Sequence, residues 1–192
     1  MIRARMAAVT LSMALSVIAC GSGAGDDSAN PVGAGAPLSA TITPAAPTAS
    51  PAPAKPAAVP ASLRFTAKTL SGDSFDGTSL AGKPVVFWFW APWCPKCLSE
   101  APAVKAAADK YDDVAFVGIA SLDTEAAMKE FVQRTGTGSL VHLSDEKGTV
   151  WTKLGVSAQS TFVFMKPDGT SARVSGPLDS GTLDMLVEKL AG

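Results

Sequence analysis

Two cysteines separated by two residues, Cys94 and Cys97, are the side chains in this sequence whose type and spacing best suit chemistry. Ahead of them runs Val85-Val86-Phe87-Trp88-Phe89-Trp90, β-branched or aromatic without a polar interruption, the composition of a central strand covered on both faces. Ala91-Pro92 ends the run. From Cys94 onward Leu98, Ala101, Val104 and Ala108 recur at helical spacing, which places Cys94 at a helix N-terminus and Cys97 one turn inside it. There the unpaired N–H groups of the first turn and the helix dipole favour the thiolate, the form of cysteine that attacks.

Such a pair has several possible jobs. A structural zinc site needs four ligands, and only the lone His142, carboxylates or another chain are left to supply the rest. A purely structural disulfide closing so small a loop gives little chain-entropy stabilisation. Inert buried thiols fit poorly with Trp93-Cys94-Pro95-Lys96-Cys97 opening a helix at a loop. Reversible dithiol/disulfide exchange is the favoured reading, with Pro95 and Lys96 tuning the thiolate and no metal or cofactor required. His142 reads as a surface or satisfied histidine rather than a catalyst, and Tyr111, Trp151 and Met165 read as packing residues.

The elements that position the pair follow in order. Leu63–Leu70 and Ser74–Asp76 read as strands around the turn Ser71-Gly72-Asp73, with Phe65 and Phe75 facing inward. After the Cys94 helix, ending near Tyr111, Val114–Ala120 is a second apolar strand, parallel to the first. Asp123 or Thr124 caps a helix that ends by Gly136, and Leu140–Leu143 is a short strand or an extended loop. Thr149–Leu154 reads as helical. Thr161–Met165 is a strand, Lys166-Pro167-Asp168-Gly169 a turn, and Thr170–Val174 pairs back antiparallel. Leu183, Leu186, Val187 and Leu190 mark a final helix begun by Asp179 or Ser180. This order predicts an α/β domain with a mixed central sheet, helices on both faces and an N-terminal β-hairpin extension.

The 192 residues carry a formal net charge of −1, which gives no basic surface for nucleic acid. Arg3 and Arg5 precede an apolar run from Ala7 to Ala19 that is short for a membrane span, so residues 1–19 read as an export signal. Val17-Ile18-Ala19-Cys20 resembles a bacterial lipobox, which implies acylation of Cys20 and a membrane anchor, and it accounts for the odd third cysteine. Residues 20–62 are rich in Ala, Pro, Ser, Thr and Gly and read as a disordered tether. The folded domain is expected over 63–192.

Trp90-Ala91-Pro92-Trp93-Cys94-Pro95-Lys96-Cys97, followed by Glu100 and Pro102 and preceded by Leu80-Ala81-Gly82-Lys83-Pro84, resembles the thioredoxin fold of the exported TlpA/ResA/DsbE group, in particular the DsbE- and DsbF-like proteins of actinobacteria. The resemblance spans about Leu63 to Gly192. It implies that Cys94 attacks and Cys97 resolves, and that Glu100 exchanges protons with the cysteines, where a solvated helix carboxylate is the plainer reading. It implies exported cysteine-containing proteins as substrates and a membrane redox partner, with Trp93, Gln159, Ser160 and Thr161 at the substrate groove. Oxidation or isomerisation is the expected role; a dedicated reductase, as in cytochrome c maturation, and a metal-binding lipoprotein are the alternatives. A peroxiredoxin-like peroxidase is disfavoured by the close cysteine pair. The acid that thioredoxins bury beneath the site is replaced by Trp88. The family's cis-proline aligns with Ser160, so either Gln159–Ser160 is a non-proline cis bond, costing about 3 to 4 kcal/mol, or the loop is trans and shifted. Activity is then expected to persist but weakened.

Overall fold

A computed structural model of the protein describes residues 58–192; the expected export signal, Cys20 and the tether up to residue 57 lie outside the described residues. The apolar run becomes strand β3 (Val85–Trp90), with all six residues buried. It lies inside a seven-stranded sheet because it is flanked on both sides. β4 (Ala115–Ala120) pairs with it in parallel, Val85 opposite Ala115 through Trp90 opposite Ala120, and β6 (Thr161–Met165) pairs antiparallel, Val85 opposite Met165. With β1 (Thr66–Thr69), β2 (Ser74–Asp76), β5 (Val141–Ser144) and β7 (Ser171–Ser175), the order is β2-β1-β5-β4-β3-β6-β7. β4 and β5 are parallel, while β1 meets β5, β2 meets β1, and β7 meets β6 antiparallel.

Period-two alternation sends the halves of β3 into two cores. Val86, Trp88 and Trp90 pack with both cysteines and with helices α1 (Pro95–Lys110), α2 (Glu125–Thr135) and α4 (Ser180–Ala191). Val85, Phe87 and Phe89 pack on the other face with Leu63, Leu80 and the short helix α3 (Thr149–Lys153). The fold is therefore the mixed α/β sheet, covered on both faces and carrying an N-terminal hairpin, that the order of elements predicts. Phe65 and Phe75 stack at 6.4 Å across that hairpin and lie half-buried against the second core.

Several boundaries differ. The strand expected over Leu63–Leu70 is confined to Thr66–Thr69, because β2 offers partners only to Thr66, Ala67 and Lys68. Leu63 instead closes a 3-10 turn over Ala61–Leu63, its N–H donating to Pro60 O at 3.0 Å. Residues 141–144 form a true strand through pairing with β4 and β1. Thr124 caps α2, accepting from Ala127 N at 3.3 Å, and Asp179 caps α4, accepting from Thr182 N at 2.7 Å. Among the described residues no helix is long and apolar enough to cross a membrane.

Candidate active site

The break after β3 delivers the chain to the C-terminal edge of the parallel strands, where open α/β sheets place their chemistry. Cys94 N bonds back to Ala91 O at 3.1 Å, closing the turn, and Cys94 becomes the N-cap of α1 with Pro95 at the first helical position. The two cysteines form a disulfide with Cα atoms 5.3 Å apart. Cys94 Sγ also accepts the Cys97 N–H at 3.1 Å, as an N-cap side chain does. The sulfurs differ in access: Cys94 retains 4% of its surface and Cys97 none. Pro95 and Lys96 are both exposed, so the Lys96 ammonium adds a positive field from solvent rather than a buried ion pair.

Trp93 stands beside the disulfide, 56% exposed, its indole N–H donating to Leu122 O at 3.1 Å. Leu122 follows β4, takes a left-handed φ of 66° and exposes its side chain, as does Leu98 on α1. The three give the rim an apolar surface. Beyond Leu122 lies an open groove of about 470 Å³ lined by Lys147, Trp151, Val156 and Ser157. The sequence reading missed Leu122 and Leu98; their positions just past β4 and one residue after Cys97 were the available signal.

Glu100 is buried, with 1% of its surface exposed, and is not a solvated helix carboxylate. It lies one turn beyond Cys97 on the inward face of α1. Its Oε1 accepts the Trp88 indole N–H at 2.6 Å and the Ser160 hydroxyl; its Oε2 accepts the Leu178 N–H at 3.3 Å. Burial pushes the carboxyl above its ordinary range, and the bonds from Ser160, Trp88 and Leu178 with the field of Lys96 pull back only part of that shift. Trp88 is thus the donor to a buried acid that α1 supplies, a pairing that strand alternation alone did not reveal.

The Gln159–Ser160 peptide is cis, so the first of the two alternatives for this loop applies. Ser160 is buried, with its side chain turned toward Glu100 rather than presented at the groove, while Gln159 and Thr161 are half-exposed. Thr161 Oγ1 donates to Ala158 O at 2.7 Å, and Gly176 N donates to Ser160 O at 2.9 Å. His142 is buried, its ring edge-on to Trp88 and Trp90. Trp90 is wholly buried, stacked on Phe131 at 4.3 Å.

A disulfide capping a helix at the end of a buried parallel strand, beside a cis loop on the antiparallel neighbour, defines a thioredoxin-like thiol–disulfide oxidoreductase. The AhpC/TSA family model matches residues 59–173, and the chain belongs to that family. It is 44% identical to the soluble secreted antigen MPT53 of Mycobacterium tuberculosis over 129 residues, 67% of this chain and 74% of that protein. To the thiol:disulfide interchange protein DsbE of Pasteurella multocida it is 30% identical over 110 residues, 57% of this chain and 60% of that one. Among solved structures, MTB DsbF, in mixed oxidised and reduced forms, superposes with a TM-score of 0.68 at 45% identity, covering 69% of this chain and 99% of its own. A secreted Mycobacterium tuberculosis disulfide oxidoreductase homologous to E. coli DsbE gives a TM-score of 0.64 at 43% identity, covering 67% of this chain and 98% of its own.

Proposed function

We infer that this oxidoreductase works outside the cytoplasm, passing its Cys94–Cys97 disulfide to exported cysteine-containing proteins or reshuffling the disulfides they hold. The observation that carries the reading is the placement of Cys94: it caps a sixteen-residue helix, keeps a sliver of exposed surface and is flanked by Lys96. A substrate thiolate attacks Cys94 Sγ, the Cys94–Cys97 bond breaks, and Cys97 leaves as the thiolate. A second substrate thiolate then attacks the substrate sulfur of the mixed disulfide, leaving a substrate disulfide and the reduced enzyme. The helix N-terminus and Lys96 stabilise the Cys94 thiolate, which stabilises the reduced form and makes the disulfide the better oxidant. Trp93, Leu98 and Leu122 supply the apolar ground on which an unfolded segment rests, with Gln159 and Thr161 at its edge. A membrane redox partner restores the disulfide.

Oxidised protein mixed anaerobically with a reduced, unfolded cysteine-containing protein is expected to give up one disulfide per chain, and the Cys94→Ser variant none. Equal transfer by that variant would overturn the reading. Two features support the location: MPT53 and the Mycobacterium tuberculosis oxidoreductase homologous to DsbE are described as secreted, and the first twenty residues read as a lipobox-bearing export signal. Acylation at Cys20 then tethers the domain to the outer face of the cell membrane. Labelled palmitate should enter the wild-type chain and not Cys20→Ala; no label in either rules out the anchor.

A further inference from the structure

Glu100 is a buried titratable group one helical turn from the resolving sulfur, and the exchange steps above leave its proton unused. Its shortest contacts come from two different elements. The Trp88 indole reaches Oε1 from β3 at 2.6 Å, and the Ser160 hydroxyl reaches the same oxygen from the cis loop ahead of β6. Gly176 closes the arrangement from above: a β-carbon there would lie 2.5 Å from both Glu100 Oε2 and Ser160 Oγ, so the glycine is what lets the loop press the two side chains together. Few other charges bear on the carboxylate. Lys96 contributes its field from the first turn of α1, the Leu178 contact is a neutral amide, and neighbouring Asp179 is committed to capping α4.

We propose that Ser160 is a positioning residue for Glu100: by donating to Oε1 its hydroxyl holds the ionised carboxylate ready to take the proton of Cys97. This rests on the exchange reading above. When Cys97 resolves a mixed disulfide on Cys94, Glu100 accepts the Cys97 proton and the Cys97 sulfur attacks Cys94 Sγ. The bond from Cys94 to the bound partner breaks, and the partner leaves as the thiolate. In the opposite direction the sulfur released on opening the disulfide takes the proton back from the protonated carboxyl. Two donors on one oxygen favour the ionised form against the burial that disfavours it. A residue at 160 without a donor leaves Trp88 alone on that oxygen. Ser160 therefore acts on the chemistry from a loop sixty residues beyond Glu100, without touching substrate.

The test loads Cys94 with glutathione and follows release of glutathione by Cys97 from pH 5 to 9 in the wild type, Ser160→Ala, Ser160→Pro and Glu100→Gln, each checked for folding by circular dichroism. A hydrogen bond to a charged group is worth about ten-fold in proton affinity, so both donorless variants should move the inflection up by about one pH unit and slow release about ten-fold below it. Glu100→Gln should abolish the inflection, and Ser160→Ala added to it should shift nothing further. Profiles that superimpose on the wild type, or an equal shift in the Glu100→Gln background, overturn the proposal. If the wild type itself releases no glutathione, the exchange reading fails instead and the proposal falls with it.

Discussion

Acid should weaken this fold through a single histidine. His142 retains 4% of its surface, and its Nε2 faces the Thr137 carbonyl at 3.0 Å, which only accepts, so that nitrogen carries the proton of the neutral ring. Among the described residues its Nδ1 has no hydrogen-bond partner, and it looks toward Gly118 and the indole of Trp90, with ring centroids 5.5 Å apart. Among the described residues no carboxylate bonds to it, and burial pushes the group down to about 4. An unfolded histidine takes its proton near pH 6.5, so between those values the unfolded chain binds more protons and stability is lost as the pH falls. The loss worked from that interval is about 2 kcal/mol by pH 5 and about 3 kcal/mol by pH 4. Carboxylates titrate over the same range, so the quantity to measure is a difference. Urea unfolding of the oxidised protein, followed by circular dichroism at pH 7.5, 6, 5 and 4, should be compared between the wild type and His142→Phe. The variant pays a fixed cost for the lost Thr137 bond, and the wild type should lose its advantage over it by about 3 kcal/mol on acidification to pH 4. A difference that stays flat with pH would refute the reasoning, since it would mean that the ring protonates as easily in the folded protein as in the unfolded chain.

Cys97→Ser should accumulate a mixed disulfide with a cysteine-containing substrate through Cys94, visible as a band on non-reducing gels, whereas Cys94→Ser should accumulate none. Gly118→Ala would set a methyl group against the His142 ring and Trp90 Nε1, and such overpacking should cost about 1 to 3 kcal/mol or more in urea unfolding.

The reactive pair was legible because local signals agreed. An unbroken apolar run, an Ala-Pro break and helical spacing after Cys94 placed the cysteines at a helix start before any packing was known, and the N-cap geometry of Cys94 follows from that alone. Glu100 was only half legible. Its spacing from Cys97 set it on the same face of α1, but what buries it arrives from Trp88 on β3, Ser160 ahead of β6 and the Leu178 amide, and no local pattern reports that convergence. Leu63 misled for a related reason. Its apolar character suits a strand, yet strand pairing requires a partner, and β2 is too short to reach it. His142 has the opposite history: nothing in its surroundings in sequence marks it as buried, and it became so because β5 inserts between β1 and β4.

The measurement that bears most directly on the oxidising role is the equilibrium of the Cys94–Cys97 couple with glutathione in wild-type protein, read by the fraction of free thiol across a series of reduced-to-oxidised ratios. A capping thiolate favoured by the helix N-terminus and Lys96 predicts a potential nearer to about −120 mV, where the disulfide is readily given away. A value near about −270 mV, the range of a reductant, would contradict it.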